Sequence, residues 1–162
     1  HHGRVMEKGL PNSTTVTVRR DAGFVYDLVR HRAVPTKSTA EGLDFGLSFG
    51  PGDGAVFLIS PQRVASVELD APARANRGAS VDVAVTVQDG RDRPIEAVVP
   101  VHLQVIDPQG AEAEFSGYYG AKDGRVSVQL DLASNDPAGT WTLRATELAS
   151  AKAVEQQLVV AE

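Results

Sequence analysis

Hydrophobic and polar residues alternate with a period of two along most of this chain, and the clearest stretch is SNDPAGTWTLRATE, Ser134 to Glu147. Asp136, Pro137, Ala138 and Gly139 make a turn, because Pro presets φ and Gly accepts a positive φ. From Thr140 the chain leaves as a strand with Trp141, Leu143 and Ala145 on one face and Thr140, Thr142, Arg144 and Thr146 on the other. Trp141 is the only Trp, and an indole pointing inward would remove roughly 150–250 Å² from water, so it is the expected core anchor.

The same period marks the residues around it. Val64 to Asp70 is a first strand, and Ala71 to Gly78 reads as a loop. Ser80 to Gln88 alternates strictly with Val81, Val83, Val85 and Val87 inward, and Val99 to Ile106 carries Val101, Leu103 and Val105 on one face. Ala113 to Tyr119 is a shorter strand, Val126 to Leu132 a longer one, and Val154 to Val160 the last. Leu148 to Ala153 is a loop rather than a helical turn. About seven strands separated by Gly, Pro and Asp turns, with no sustained helical period, predict an immunoglobulin-like antiparallel β-sandwich over residues 61–162.

Residues 1–60 hold four expected strands. Thr14 to Arg20 and Gly23 to Arg30 read as a hairpin around Asp21-Ala22-Gly23, with Phe24, Tyr26 and Leu28 on one face. After an irregular link from Ala33 to Gly42, Leu43, Phe45, Leu47 and Phe49 alternate with Asp44, Gly46 and Ser48. Ala55 to Ile59 is apolar at every position, as in a strand covered on both faces. The fold class is therefore all-β, a small four-stranded domain at 1–60, cut at its N-terminal side or minimal, followed by the sandwich at 61–162. Ser60-Pro61-Gln62 is the boundary: Pro stops the strand, and a core with four of the five Phe gives way to one rich in Val.

Composition narrows the partners. The net charge of −5 is uneven, with seven basic against six acidic residues in 1–60 and nine against fifteen beyond. An acidic second half without a basic stripe excludes nucleic acid as the expected partner. The longest apolar run, five residues, is far below the roughly 20 a membrane helix needs. Absence of Cys rules out disulfides and thiolate metal sites. His1 and His2 read as a tag remnant or cut end, and HHGRVMEKG has no apolar signal segment.

Catalytic chemistry has little to stand on. Glycoside hydrolysis needs two carboxylates fixed about 5–10 Å apart, whereas Asp53, Asp89, Asp107, Asp123 and Asp136 fall in turns and Glu68, Asp82 and Asp131 on solvent faces. His31 and His102 lie in different domains without a second imidazole at ligand spacing. Asp89, Asp92 and nearby carbonyls have the oxygen chemistry of a Ca²⁺ loop, though a plain turn explains them as well. Of Tyr118 and Tyr119, one must face out, where it could stack on a sugar; a platform usually takes two or three such rings. Asn12-Ser13-Thr14 fits a glycosylation sequon. No catalytic, cofactor-binding or metal residue and no cofactor is expected.

Two stretches resemble known families. Val105-Ile106-Asp107-Pro108-Gln109-Gly110, Asp123-Gly124-Arg125-Val126 and Asn135-Asp136-Pro137-Ala138-Gly139-Thr140-Trp141-Thr142-Leu143 resemble the macroglobulin-like and immunoglobulin-like modules of large bacterial extracellular proteins. Phe24-Val25-Tyr26-Asp27-Leu28 and Leu47 to Ile59 resemble the C-terminal β-domain of large bacterial β-galactosidase-like glycoside hydrolases, whose catalytic carboxylates sit in an upstream barrel and match nothing here. The resemblances imply a non-catalytic accessory region, a support or spacer, of a large secreted or cell-surface enzyme. Its partner would be the upstream catalytic domain of the same polypeptide. The alternatives are a carbohydrate-binding module and a protein-interaction module of a macroglobulin-like protein.

Overall fold

The computed structural model describes residues 10–162, and HHGRVMEKG, with the expectations attached to it, lies outside them. Every regular element among the described residues is a strand. Contacts separate two compact units, His1–Pro61 and Gln62–Glu162.

The first unit contains β1 (Asn12–Val18), β2 (Phe24–Asp27), β3 (Arg32–Val34), β4 (Thr36–Ser38), β5 (Leu43–Phe49) and β6 (Phe57–Ser60). They form two three-stranded sheets, β1-β5-β4 and β3-β2-β6. The expected hairpin between the first two strands is absent: β1 pairs with β5 and β2 with β3 and β6. Val16 and Val18 of β1 and Val25 of β2 instead meet inside one core with Leu43 and Phe45, facing each other across the sandwich. The link read as irregular holds β3 and β4, and Pro35 between them is where the chain crosses from one sheet to the other. Proline lacks the N–H a continuous ladder would use.

Two burial expectations for this unit also change. Phe24 is exposed while Val25 and Tyr26 are both buried, so β2 does not present the expected face of Phe24, Tyr26 and Leu28. The run Ala55 to Ile59 becomes a strand only at Phe57, with Val56 exposed and Phe57, Leu58 and Ile59 half-buried. With Phe57, Leu58 and Ile59 each half-buried, β6 is not fully covered on both faces, and it lies at the edge of its sheet. Phe57 meets Phe45 edge-on, ring centroids 5.0 Å apart, which is the preferred aromatic geometry.

The second unit contains β7 (Ser66–Asp70), β8 (Arg74–Asn76), β9 (Ser80–Gln88), β10 (Val99–Ile106), β11 (Gly117–Ala121), β12 (Arg125–Asp131), β13 (Gly139–Glu147) and β14 (Ala153–Ala161). A five-stranded sheet, β11-β10-β13-β14-β8, packs with a three-stranded one, β12-β9-β7. This is an immunoglobulin-like sandwich, antiparallel apart from the β14–β8 pair. The loop expected at Ala71 to Gly78 thus contains a short edge strand. The strand expected at Ala113 to Tyr119 starts later, at Gly117, because Ala113 and Ser116 bond back to Val105.

The inward faces are those the alternation predicts. Val81, Val83, Val85 and Val87 of β9, Val101, Leu103 and Val105 of β10, and Trp141, Leu143 and Ala145 of β13 are all buried. Trp141 is only 2% exposed, and its indole N–H donates to the Pro137 carbonyl at 2.9 Å, so the ring is buried without an unsatisfied donor.

Two turns depend on glycine. The chain passes from β11 in one sheet to β12 in the other through Asp123 (φ 49°) and Gly124 (φ 72°), both left-handed as a type I′ turn requires, and the Arg125 N–H closes the turn on the Lys122 carbonyl at 3.0 Å. A Cβ at Gly124 would lie 2.6 Å from the Ile95 nitrogen, so only glycine fits there. Gly139, at φ 137°, likewise abuts Pro108 of the neighbouring turn.

Candidate functional site

The carboxylates hold their own loops. Asp89 accepts the N–H groups of Arg91 (2.8 Å) and Arg93 (3.1 Å) on one oxygen and the Arg93 guanidinium on the other (2.7 and 3.0 Å). The Arg93 hydrogen bond, reinforced by the two backbone N–H groups, outweighs burial and holds the Asp89 carboxyl below its ordinary value. The same pairing raises Arg93. Both Asp89 oxygens, the proposed centre of a Ca²⁺ loop, are thus committed to the turn, and Asp92 takes a left-handed φ of 57° beside it. Among the described residues no group of three or more His, Cys, Asp or Glu side chains could hold a metal ion.

The other acidic residues singled out from sequence behave alike. Asp107 accepts from Gln109 and Ala111, Asp136 from Ala133 and Asp53 from Gly50, each an Asp closing its own turn. Asp123 sits in the type I′ turn. Glu68 accepts from Gln88 and Asp131 from Ser80 on exposed strand faces, and Asp82 is exposed on β9. A cleft of about 320 Å³ beside Trp141 is lined by Asp107, Glu114, Asn135, Asp136 and Pro137; its two Asp side chains are those turn braces, and Glu114 is exposed.

Two braces escaped the sequence reading. Asp27, buried at the end of β2, accepts the N–H groups of Val29 and Arg30 and pairs with the Arg30 guanidinium at 2.9 Å. Burial pushes this carboxyl up, but the Arg30 and Val29 hydrogen bonds together prevail and hold it below the ordinary value. Glu147 is fully buried, and its carboxylate accepts from the N–H groups of Ala149, Ser150 and Lys152 and from the Ser150 hydroxyl. It shapes the loop before β14. The signal available was an acidic residue on the inward face of a strand, followed by the small residues Ala149 to Ala151.

The tyrosine pair divides as expected. Tyr119 turns inward and its hydroxyl donates to the Phe115 carbonyl, while Tyr118 is 75% exposed. His102, directly opposite on β10, stacks on Tyr118 with ring centroids 4.4 Å apart and planes 15° from parallel. The outer face of the five-stranded sheet carries this pair, then Gln104, Arg144 and Glu155 in one cross-strand row. The row of three rings that would make a flat sugar platform does not form there. His31 stands in a turn of the first unit with φ 49°, and Asn12 of the sequon opens β1 at an exposed position.

No family model matches the chain, and no curated protein matches it in sequence. Solved structures resemble it at low identity. A superoxide reductase (neelaredoxin) from Ignicoccus hospitalis is 15% identical with a TM-score of 0.46, over 60% of this chain and 81% of that one. The adhesin InvE of Yersinia pseudotuberculosis is 15% identical with a TM-score of 0.44, over 94% of this chain and 49% of that one. The alpha-2-macroglobulin of E. coli is 12% identical with a TM-score of 0.45, over 94% of this chain and 16% of that one. At such identities and scores these likenesses carry no argument about activity. What the chain's own geometry establishes is an all-β molecule whose second unit is an immunoglobulin-like sandwich.

Proposed function

We propose that the chain is a non-catalytic accessory region of a larger secreted or cell-surface bacterial enzyme, a glycoside hydrolase. Its two β-units would act as support or spacer for a catalytic part upstream in the same polypeptide. The observation that carries this reading is the use of the carboxylates. Asp27, Asp89 and Glu147, the acidic residues out of solvent, each bind the N–H groups of their own loop, so none is poised opposite another across a substrate cleft. The parent enzyme rests on the likeness of residues 24–28 and 47–59 to a hydrolase β-domain, and fold by itself does not specify function.

The test is an aryl-glycoside assay on the isolated chain beside the parent enzyme with and without it. The expected result is no turnover by the chain alone, and a parent that keeps its kcat but melts earlier when the region is removed. Turnover by the chain that vanishes on substitution of one Asp or Glu would overturn the reading. The carbohydrate-binding alternative has only Tyr118 stacked on His102 in its favour, and that pair has one ring face left to offer.

A further inference from the structure

One edge of the five-stranded sheet is β11, which among the described residues pairs with β10 alone. The register fixes which of its backbone groups are free. Pro100 accepts a bond from Leu148 on the β13 side, whereas Val105 bonds Ala113 and Ser116 on the β11 side. Alternate residues of a strand point their N–H and C=O to opposite sides, so Val101 and Leu103 bond Tyr119 and Gly117, and His102 and Pro100 make no ladder bonds to Tyr118 and Gly120. This explains the ring stacking, since side chains come closest at such non-bonded pairs. It also leaves the N–H and C=O of Tyr118 and Gly120 pointing off the open edge.

Nothing on β11 guards that edge. The strand reads GYYGA, with no charge and no proline, the usual devices against edge pairing. Tyr118 and the exposed Val98 flank Gly120, whose missing side chain leaves a notch between them; a Cβ there would touch only Val98 Cγ1, at 3.4 Å.

We propose that this edge pairs antiparallel with β11 of a second copy of the chain, about a two-fold axis at Tyr119. Tyr118 of each copy then stands opposite Gly120 of the other. Both pairs are of the hydrogen-bonded kind, so all the free backbone groups named above find partners. Each Tyr118 ring covers the other copy's Gly120, the pairing by which an aromatic compensates for a strand glycine. Extending the register puts Lys122 opposite Ser116, so no like charges meet. A five-residue edge buries less than the roughly 1,200 Å² of stable interfaces, which makes the pairing reversible and concentration-dependent.

Sedimentation equilibrium of the full chain, up to about 1 mM, reads the association directly, since a contact this small falls in the weak range. The average mass should rise with concentration toward that of a dimer. Tyr118→Lys should weaken association at least about tenfold, because it removes the ring and sets a cation against an apolar notch. Tyr118→Pro removes an outward N–H without touching the β10 ladder and should abolish it. Amide exchange at Tyr118 and Gly120 should slow with concentration, while Tyr119, already bonded to β10, should not change. A chain that stays monomeric throughout, or a dimer that survives both substitutions, would overturn the proposal. If Tyr118→Pro fails to fold, Tyr118→Lys and the exchange measurement decide.

Discussion

The two units solve the same problem with different means. In Gln62–Glu162 the sandwich strands reach nine residues, and successive inward side chains of β9, β10 and β13 are almost fully buried. Among the described residues of the first unit no strand exceeds seven residues; Tyr26 is buried, and the cluster of Val25, Leu43 and Phe45 is ringed by half-buried Val, Phe and Ile. Long alternating strands close two faces over one another and bury a continuous core. Short strands that switch sheets leave the same residue types half in water. Since apolar burial contributes about 25 cal/mol per Å², the second unit should hold most of the stability.

Separating the units is the strongest way to break this comparison. A fragment covering 62–162 should unfold cooperatively by itself, and one covering 1–61 should be marginal, because small domains with edges uncovered bury too little surface. Thermal unfolding of both beside the intact chain checks this. An unfolded 62–162 fragment would mean that the core is shared and the contrast false.

Single substitutions sharpen it. Trp141→Ala should cost the second unit about 3–5 kcal/mol, the range for deleting a buried aromatic. Phe45→Ala should cost the first unit less, since its surroundings are half-buried and can collapse onto the space. Chemical denaturation of each variant measures the difference, and equal losses would show the two cores to be equally tight.

A smaller effect tests the turns. Gly124→Ala should destabilise by about 1–3 kcal/mol, as it combines a left-handed φ with a backbone clash. Gly46→Ala, on an exposed position of β5 with nothing within 4 Å, should be near neutral or slightly stabilising. Denaturation midpoints of the pair separate glycines kept for geometry from glycines kept for nothing visible.

The smallest effect is electrostatic and occurs in both units. The folded-state values of Asp27 and Asp89 are depressed, so each contributes stability that is present above the ordinary aspartate value of 3.8 and lost as pH falls through the lower folded value. Denaturation between pH 5 and pH 2, on the order of the range over which aspartates titrate, should be less acid-sensitive in Asp27→Asn and Asp89→Asn than in the parent chain. An unchanged acid slope in both would show that these pairs are screened out in solution.

The period-two alternation by itself determined the all-β class, the inward faces of β9, β10 and β13, and the buried Trp141. Those features follow from local geometry, because a strand turns alternate side chains to opposite faces wherever it lies. The turn role of Asp89, Asp107 and Asp136 was equally legible, since an Asp followed by Gly or Pro braces its own backbone. The tertiary structure alone decided which strands pair. It sent β1 to β5 rather than β2, set β8 parallel to β14 and broke the apolar run before β6, because pairing depends on contacts between residues far apart in the chain. The same is true of the loops around Asp27 and Glu147. The alternation of β13 already puts Glu147 on the inward face, but that a carboxylate can be buried there depends on the loop that wraps its N–H groups around it.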